Sequence, residues 1–440
     1  MTLTIEKLIY GGDGLARLPA DERGPGKALF VPFVLEGEKI SASIREEKPG
    51  FARAQLEDIL EPSTQRIQPT CPYFQHCGGC HYQHTSYENQ LAIKSAILRE
   101  SLRRTAKLEL QTELTIHPSP PWNYRNRTRL QVRADSTFAL GYFKMSSHEL
   151  LPVEQCPISS SLINRAIGVV WELGRAGQVP STLREIELFA DADDARVQVE
   201  LYLDPREEKA KRTQAGQALA HRLRDPLPEI ANAYVFARSK QSARGTQGQI
   251  SEEPDWAVKA DEFRYRTRTA SFRVSGGSFF QVNRHLIDEL VILATANRSG
   301  ELALDLYAGV GLFTTALAAS FRHTIAVESS QSSAADLKYN IPANVKAVRS
   351  TVDEYLAAKG AKLHPDRVIV DPPRAGLGER VARNLARLSA RQITYVSCDP
   401  ATLARDLVHL TAGGYRVEQV HLLDLFPQTY HIESVVQLVQ

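Results

Sequence analysis

The stretch Gln392-Ile-Thr-Tyr-Val-Ser-Cys-Asp-Pro-Ala-Thr-Leu-Ala-Arg-Asp-Leu407 contains a whole strand–turn–helix unit. Residues 393–396 are β-branched or aromatic and suit a buried strand. Asp399-Pro400 then opens a helix, with proline near its first position. Cys398 falls in the turn between them, at the carboxyl end of a strand, where open α/β sheets bind their ligands. A thiol just ahead of a helix N-terminus feels partial positive charge, so a lowered pKa and a nucleophilic thiolate are expected. A lone cysteine can also be a small core residue, and only its surroundings decide between the two.

Those surroundings repeat the same unit. Strands are readable at 302–306, 324–327, 345–348, 367–370, 393–396, 415–423 and 431–438, with helical stretches between all but the last two. This is the pattern of an α/β fold, a seven-stranded Rossmann-like sheet closed by a hairpin. Its first turn is Asp305-Leu-Tyr-Ala-Gly309-Val-Gly311, and Glu328 ends the next strand, where a carboxylate can take both hydroxyls of a ribose. The third glycine that would let a helix receive a pyrophosphate is missing, so a nucleoside without phosphates, such as S-adenosylmethionine, fits better than a dinucleotide. The fourth strand ends in Asp371-Pro-Pro-Arg-Ala-Gly376, which aims a carboxylate at the same sheet edge. Glu433 stands in an otherwise apolar strand, a costly place for an acid without a partner or a task. A salt-bridged structural acid is the plain alternative.

The amino-terminal half differs in texture. At 440 residues the chain is too long for one ordinary core, and two or three domains are expected. Residues 3–9, 27–33, 39–45 and 52–60 read as short strands between glycine turns, so residues 1–62 suit a small β-barrel. Such a barrel is either structural or nucleic-acid-binding. A helix is expected over 86–106, amphipathic and able to dock on the carboxyl-terminal domain, within a β-rich central domain spanning 67–270. The carboxyl-terminal domain spans 271–440. Cys71, Cys77 and Cys80 crowd a turn-rich loop, and Cys156 follows at a distance. That is a soft-metal signature, open to zinc but closer in layout to a [4Fe–4S] cluster.

Formal charge is only +2, so a nucleic-acid surface has to come from local clusters. Arg125, Arg127 and Arg129 share one strand face, and Arg264 and Arg266 repeat the pattern. With no carboxylate in either run, phosphate contacts are favoured over a merely solvated face. Residues 239–253 read as a loop. Residues 1–10 show no leader pattern, and no uncharged apolar run is long enough for a bilayer, so a soluble, cytoplasmic monomer is expected.

A thiolate, a sulfonium methyl donor and a carboxylate base are what methylation of uracil C5 requires. Addition of sulfur at C6 makes C5 nucleophilic, and a base must later remove the C5 proton. The chain resembles the RNA uracil-C5 methyltransferases over nearly its full length: the TRAM-type barrel, the C-x₅-C-x₂-C…C cluster site, Phe279-Phe-Gln281-Val-Asn283, the turns at 305–311, 371–376 and 397–400, and His431-Ile-Glu-Ser434. The resemblance implies Cys398 as nucleophile and Glu433 as base. It implies S-adenosylmethionine contacts from Gln281, Tyr307, Gly309, Glu328, Asp353 and Asp371, and a [4Fe–4S] cluster on Cys71, Cys77, Cys80 and Cys156. It favours 23S ribosomal RNA as substrate, with transfer RNA or a catalytically weakened RNA-binding homologue as alternatives. One departure is Leu312, where many members carry asparagine, so a polar cofactor contact is expected to be missing.

Overall fold

A computed structural model describes residues 1–18, 26–110, 114–237, 253–259, 263–296 and 298–440. The loop read at 239–253 lies outside the described residues except for its last position.

The amino-terminal sheet has six strands in the order Thr2–Thr4, Lys39–Glu47, Phe51–Glu61, Ala28–Pro32, Asp13–Arg17, Lys7–Leu8. Alternate residues (Leu29 and Val31, Ile40 and Ala42, Ala52 and Ala54) point inward and form its core, as period-two patterning requires. Asp13–Arg17 is a further strand, beyond those expected at 3–9, 27–33, 39–45 and 52–60. The turn before it is Gly11-Gly12, both at positive φ.

The middle of the chain forms a seven-stranded sheet, in the order Leu150–Pro152, Ala139–Phe143, Arg127–Arg133, Leu183–Ala190, Val197–Leu203, Ile230–Ala237, Trp256–Lys259. It is not β alone: helices Ser161–Arg175 and Lys209–Arg224 contribute to its core. The first is legible in retrospect. Ser160 caps it, and Leu162, Ile163, Ala166, Ile167, Val170 and Trp171 recur at helical spacing.

The carboxyl-terminal sheet runs Val345–Arg349, Phe321–Glu328, Gly300–Leu306, Arg367–Val370, Gln392–Ser397, Glu433–Val439, Arg416–Leu423, and gains an eighth edge strand, Thr115–His117. The first five strands pair in parallel, and Glu433–Val439 is antiparallel to both its neighbours. Strand order reverses at Gly300–Leu306, and sheets of this kind hold their ligands at the carboxyl ends of the strands beside such a reversal. Helix Tyr87–Ser101 and the wide turn Leu102–Ala106 bury Ile97, Leu98, Leu102 and Ala106 in the same core as Leu403 and Leu407. This helix therefore packs on the carboxyl-terminal sheet.

Candidate active site

Strand register brings the proposed nucleophile and base together. Strand Gln392–Ser397 is antiparallel to Glu433–Val439, with Ser397 opposite Ser434, so the next pair outward is Cys398 and Glu433. Thirty-five residues apart in sequence (433 − 398), they face each other at a sheet end. Asp371 follows the adjacent strand Arg367–Val370, and Gln281 donates from Nε2 to its Oδ2 at 3.4 Å. Across the order reversal, the Gly309 amide donates to Glu328 Oε2 at 2.8 Å, and Ser330 donates to the other oxygen at 2.7 Å. Tyr307 and Gly309 both take positive φ in that turn, a strained setting for a tyrosine that lets the backbone curl round a ligand. Asp353 lies one strand further along, in the first turn of helix Val352–Lys359. It pairs with Arg380 through one oxygen, while Oδ1 is buried without a partner. Leu312 packs in the core at the head of helix Leu312–Ser320.

The electrostatics correct the expectation of a low-pKa thiol. Burial, followed by the charges of Glu433 and Asp371, pushes Cys398 up to about 12, and Arg374 only partly opposes them. The helix terminus is outweighed by its acidic neighbours. Glu433 is itself raised well above the usual carboxyl range by burial and Asp371. Asp371 rises to about 7 through burial and the charge of Asp305. Asp305 also rises to about 7, chiefly by burial, and its Oδ1 is buried without a hydrogen-bond partner. Asp305 raises Asp371 and Asp371 raises Glu433, so a cation beside these acids would relieve them. Asp305 and Arg374 were not singled out from the sequence, although both stand inside motifs that were.

The loop before Glu433, residues 424–431, is held from several directions. Fully buried Lys94 donates to Asp424 Oδ1 at 2.6 Å and to the Phe426 carbonyl at 2.9 Å. Gln90 exchanges hydrogen bonds with Gln428, and the Tyr124 hydroxyl donates to the Pro427 carbonyl. The His81 and Tyr82 amides both donate to the Gln428 carbonyl, so the cysteine loop and the loop before Glu433 are joined directly.

The four cysteines Cys71, Cys77, Cys80 and Cys156 are free thiols lining one cavity of about 280 Å³. Burial raises the thiol pKa of Cys71, of Cys77 (to about 11) and of Cys80. Among the described residues no three His, Cys, Asp or Glu side chains are grouped as a single metal ion would need.

The arginine rows meet carboxylates that neither run itself contains. Arg127 and Arg129 bind Glu187 on the neighbouring strand; Arg127 also reaches Glu200 and donates to the Ser278 carbonyl at 2.6 Å. Arg129 also lies over the Tyr202 ring. These guanidiniums are paired with a carboxylate on a strand that the sequence did not show to be adjacent. Arg125 lines the cysteine cavity, its Nε buried without a partner. Arg264 donates to the Tyr339 hydroxyl, and Arg266 is exposed.

Together, a Rossmann-like catalytic sheet, a strand-end thiol facing an acid and an appended β-barrel define an S-adenosylmethionine-type methyltransferase architecture. Residues 86–440 match the tRNA (Uracil-5-)-methyltransferase family and residues 1–56 match the TRAM domain. The chain belongs to the tRNA (uracil-5-)-methyltransferase family and is an RNA methyltransferase. It is 32% identical to an uncharacterized RNA methyltransferase of Aquifex aeolicus, covering 100% of this chain and 98% of that one. It is 30% identical to the 23S rRNA (uracil(1939)-C(5))-methyltransferase of Pseudomonas putida, covering 98% and 92%. The solved structure of Pyrococcus abyssi tRNA (uracil-54, C5)-methyltransferase in complex with S-adenosyl-L-homocysteine superposes at a TM-score of 0.75 with 25% identity, over 100% of both chains. No helix among the described residues is long and apolar enough to cross a membrane.

Proposed function

We propose that the enzyme methylates C5 of a specific uridine in 23S ribosomal RNA, with Cys398 as nucleophile, Glu433 as general base and S-adenosylmethionine as donor. The observation that carries this reading is the strand register that sets Cys398 opposite Glu433, beside Asp371. The acid-lined crevice supports a cationic donor, with Gln281, Tyr307, Gly309, Glu328, Asp353 and Asp371 around it. Bound there, S-adenosylmethionine supplies an electrophilic methyl group on a sulfonium.

The Cys398 thiolate adds to uracil C6, and the ring electrons move out through C5 and the C4 carbonyl, making C5 the nucleophile that takes the methyl. Glu433 then removes the C5 proton, the C5–C6 double bond re-forms and Cys398 leaves as thiolate. In the free site burial and neighbouring acids raise the pKa of both groups, and a positive charge beside them would lower both, which couples activation of the thiol to donor binding. The base reacts only when extruded from its stack.

Cys71, Cys77, Cys80 and Cys156 would hold a [4Fe–4S] cluster. An all-sulfur donor set round a cavity of about 280 Å³ suits a multi-atom group, and the unpartnered Arg125 Nε suits an anionic one. The cluster would brace the loop whose His81 and Tyr82 hold residue 428. Reconstituted protein should carry iron and sulfide, and Cys156→Ser should lose both.

A transfer-RNA target is the second reading, favoured by the likeness to the Pyrococcus abyssi enzyme over the whole chain. Mapping 5-methyluridine in ribosomal and transfer RNA from cells with and without the gene decides between the two. For the chemistry, tritium release from C5-labelled uridine RNA should require Cys398, and Cys398→Ala should bind RNA without releasing tritium. Release by that variant would remove the nucleophile.

A further inference from the structure

The amino-terminal barrel reaches into the catalytic centre. Its turn at Gly11-Gly12 presents the preceding residue, Tyr10, to the far end of the chain. The Tyr10 hydroxyl donates to the Cys398 carbonyl oxygen at 3.4 Å, and Asp399 lies beside it. The Tyr10 ring meets Tyr430 edge-on at 5.5 Å, and on the Tyr430 ring His81 packs in turn at 4.5 Å. Gly12 closes the contact: a Cβ there would sit 3.1 Å from His81 Cβ. Burial, with the charge of Asp399 next, raises the phenol pKa, so it stays a donor throughout the working pH range.

The peptide that Tyr10 touches is the one that aims the nucleophile. Residue 398 has left the strand ladder, and residue 399 is the N-cap of helix Pro400–Ala412, its Oδ1 accepting from the Ala401 and Thr402 amides. The Cys398 carbonyl is thus fixed by neither strand nor helix, and rotation of the 398–399 peptide would swing Sγ relative to Glu433. A 3.4 Å contact is long for a hydrogen bond, as catalytic contacts often are before substrate closes the site.

We propose that Tyr10 is a positioning residue for Cys398, so that the barrel completes the active site in addition to any grip on RNA. This rests on Cys398 being the nucleophile. The proposal differs from a barrel that only binds RNA in what it predicts for the loss of one oxygen atom. A hydrogen bond lost from the transition state, at roughly 1.4 kcal/mol, is tenfold in rate.

The test uses full-length holoenzyme with Tyr10→Phe, Tyr10→Ala and Cys398→Ala. Measured are kcat, KM for RNA and for donor, melting temperature, and the rate of covalent capture by RNA carrying 5-fluorouridine, whose C5 fluorine cannot be removed as a proton. Tyr10→Phe keeps the ring against Tyr430. It should lower kcat and the capture rate by about tenfold, with both KM values within about twofold and the melting temperature unchanged. Tyr10→Ala should show the same loss of kcat together with a lower melting temperature. Tyr10→Phe at the wild-type capture rate, or an effect confined to KM for RNA, overturns the proposal. Capture by Cys398→Ala would overturn it through the nucleophile assignment beneath it, and loss of capture in that variant together with normal Tyr10→Phe overturns the Tyr10 role alone.

Discussion

Lys94→Met tests whether helix Tyr87–Ser101 holds the loop before Glu433, the proposed base. Lys94 and Asp424 are both completely buried, and the ammonium is the charged support of that carboxylate, with the Tyr87 phenol beside it. Removing one member of such a pair strands the other and costs about 3–5 kcal/mol. Equilibrium urea unfolding at pH 7, followed by circular dichroism, measures the loss. Adding Asp424→Leu to Lys94→Met should restore most of the stability, because an uncharged pair leaves nothing stranded. The variant should also lose kcat, since the loop held by Lys94 at Asp424 and Phe426 leads to Glu433. A loss below about 1 kcal/mol at pH 7, or a double variant no more stable than Lys94→Met alone, would refute the reasoning.

Glu433→Gln should still form the C6 adduct but release it slowly, accumulating a protein–RNA band on a denaturing gel. Normal turnover would send the C5 proton elsewhere. Asp305 and Asp371 have folded pKa values raised to about 7 from 3.8, so the folded state holds more protons between those values. The stability they contribute is present at the acid end and lost as pH rises through 7. The melting temperature of the free protein should therefore fall from pH 5.5 to 8, and a cationic donor analogue should flatten that slope; a rise over the same range contradicts it. Arg127→Ala should destabilise the protein while leaving the salt dependence of RNA binding unchanged, because its partners are Glu187 and Glu200. A shallower salt slope would return Arg127 to the phosphate surface.

Much of the fold was legible because strand and helix periods are local properties. The alternation after residue 280 gave the carboxyl-terminal sheet, and the glycine turns gave the barrel. The helix Ser161–Arg175 was equally local and was passed over for the strands around it. The eighth strand, Thr115–His117, could not be read in the same way: three residues carry no period, and only pairing with Leu423 and its neighbours makes them a strand.

Sequence alone determined which groups the site contains, since Cys398, Glu433, Asp371 and Glu328 each sit in a short motif whose turn chemistry is written in adjacent residues. The tertiary structure decided what those groups face. It set the thiol among acids that raise its pKa, where the local helix end alone argued for lowering it. It gave Arg127 and Arg129 carboxylate partners from a strand nearly sixty residues away (187 − 129 = 58). It also brought Tyr10 against Cys398 across 388 residues. Charge and hydrogen-bond energies depend on distance through space, and distance through space is what the order of residues leaves open until the chain has folded.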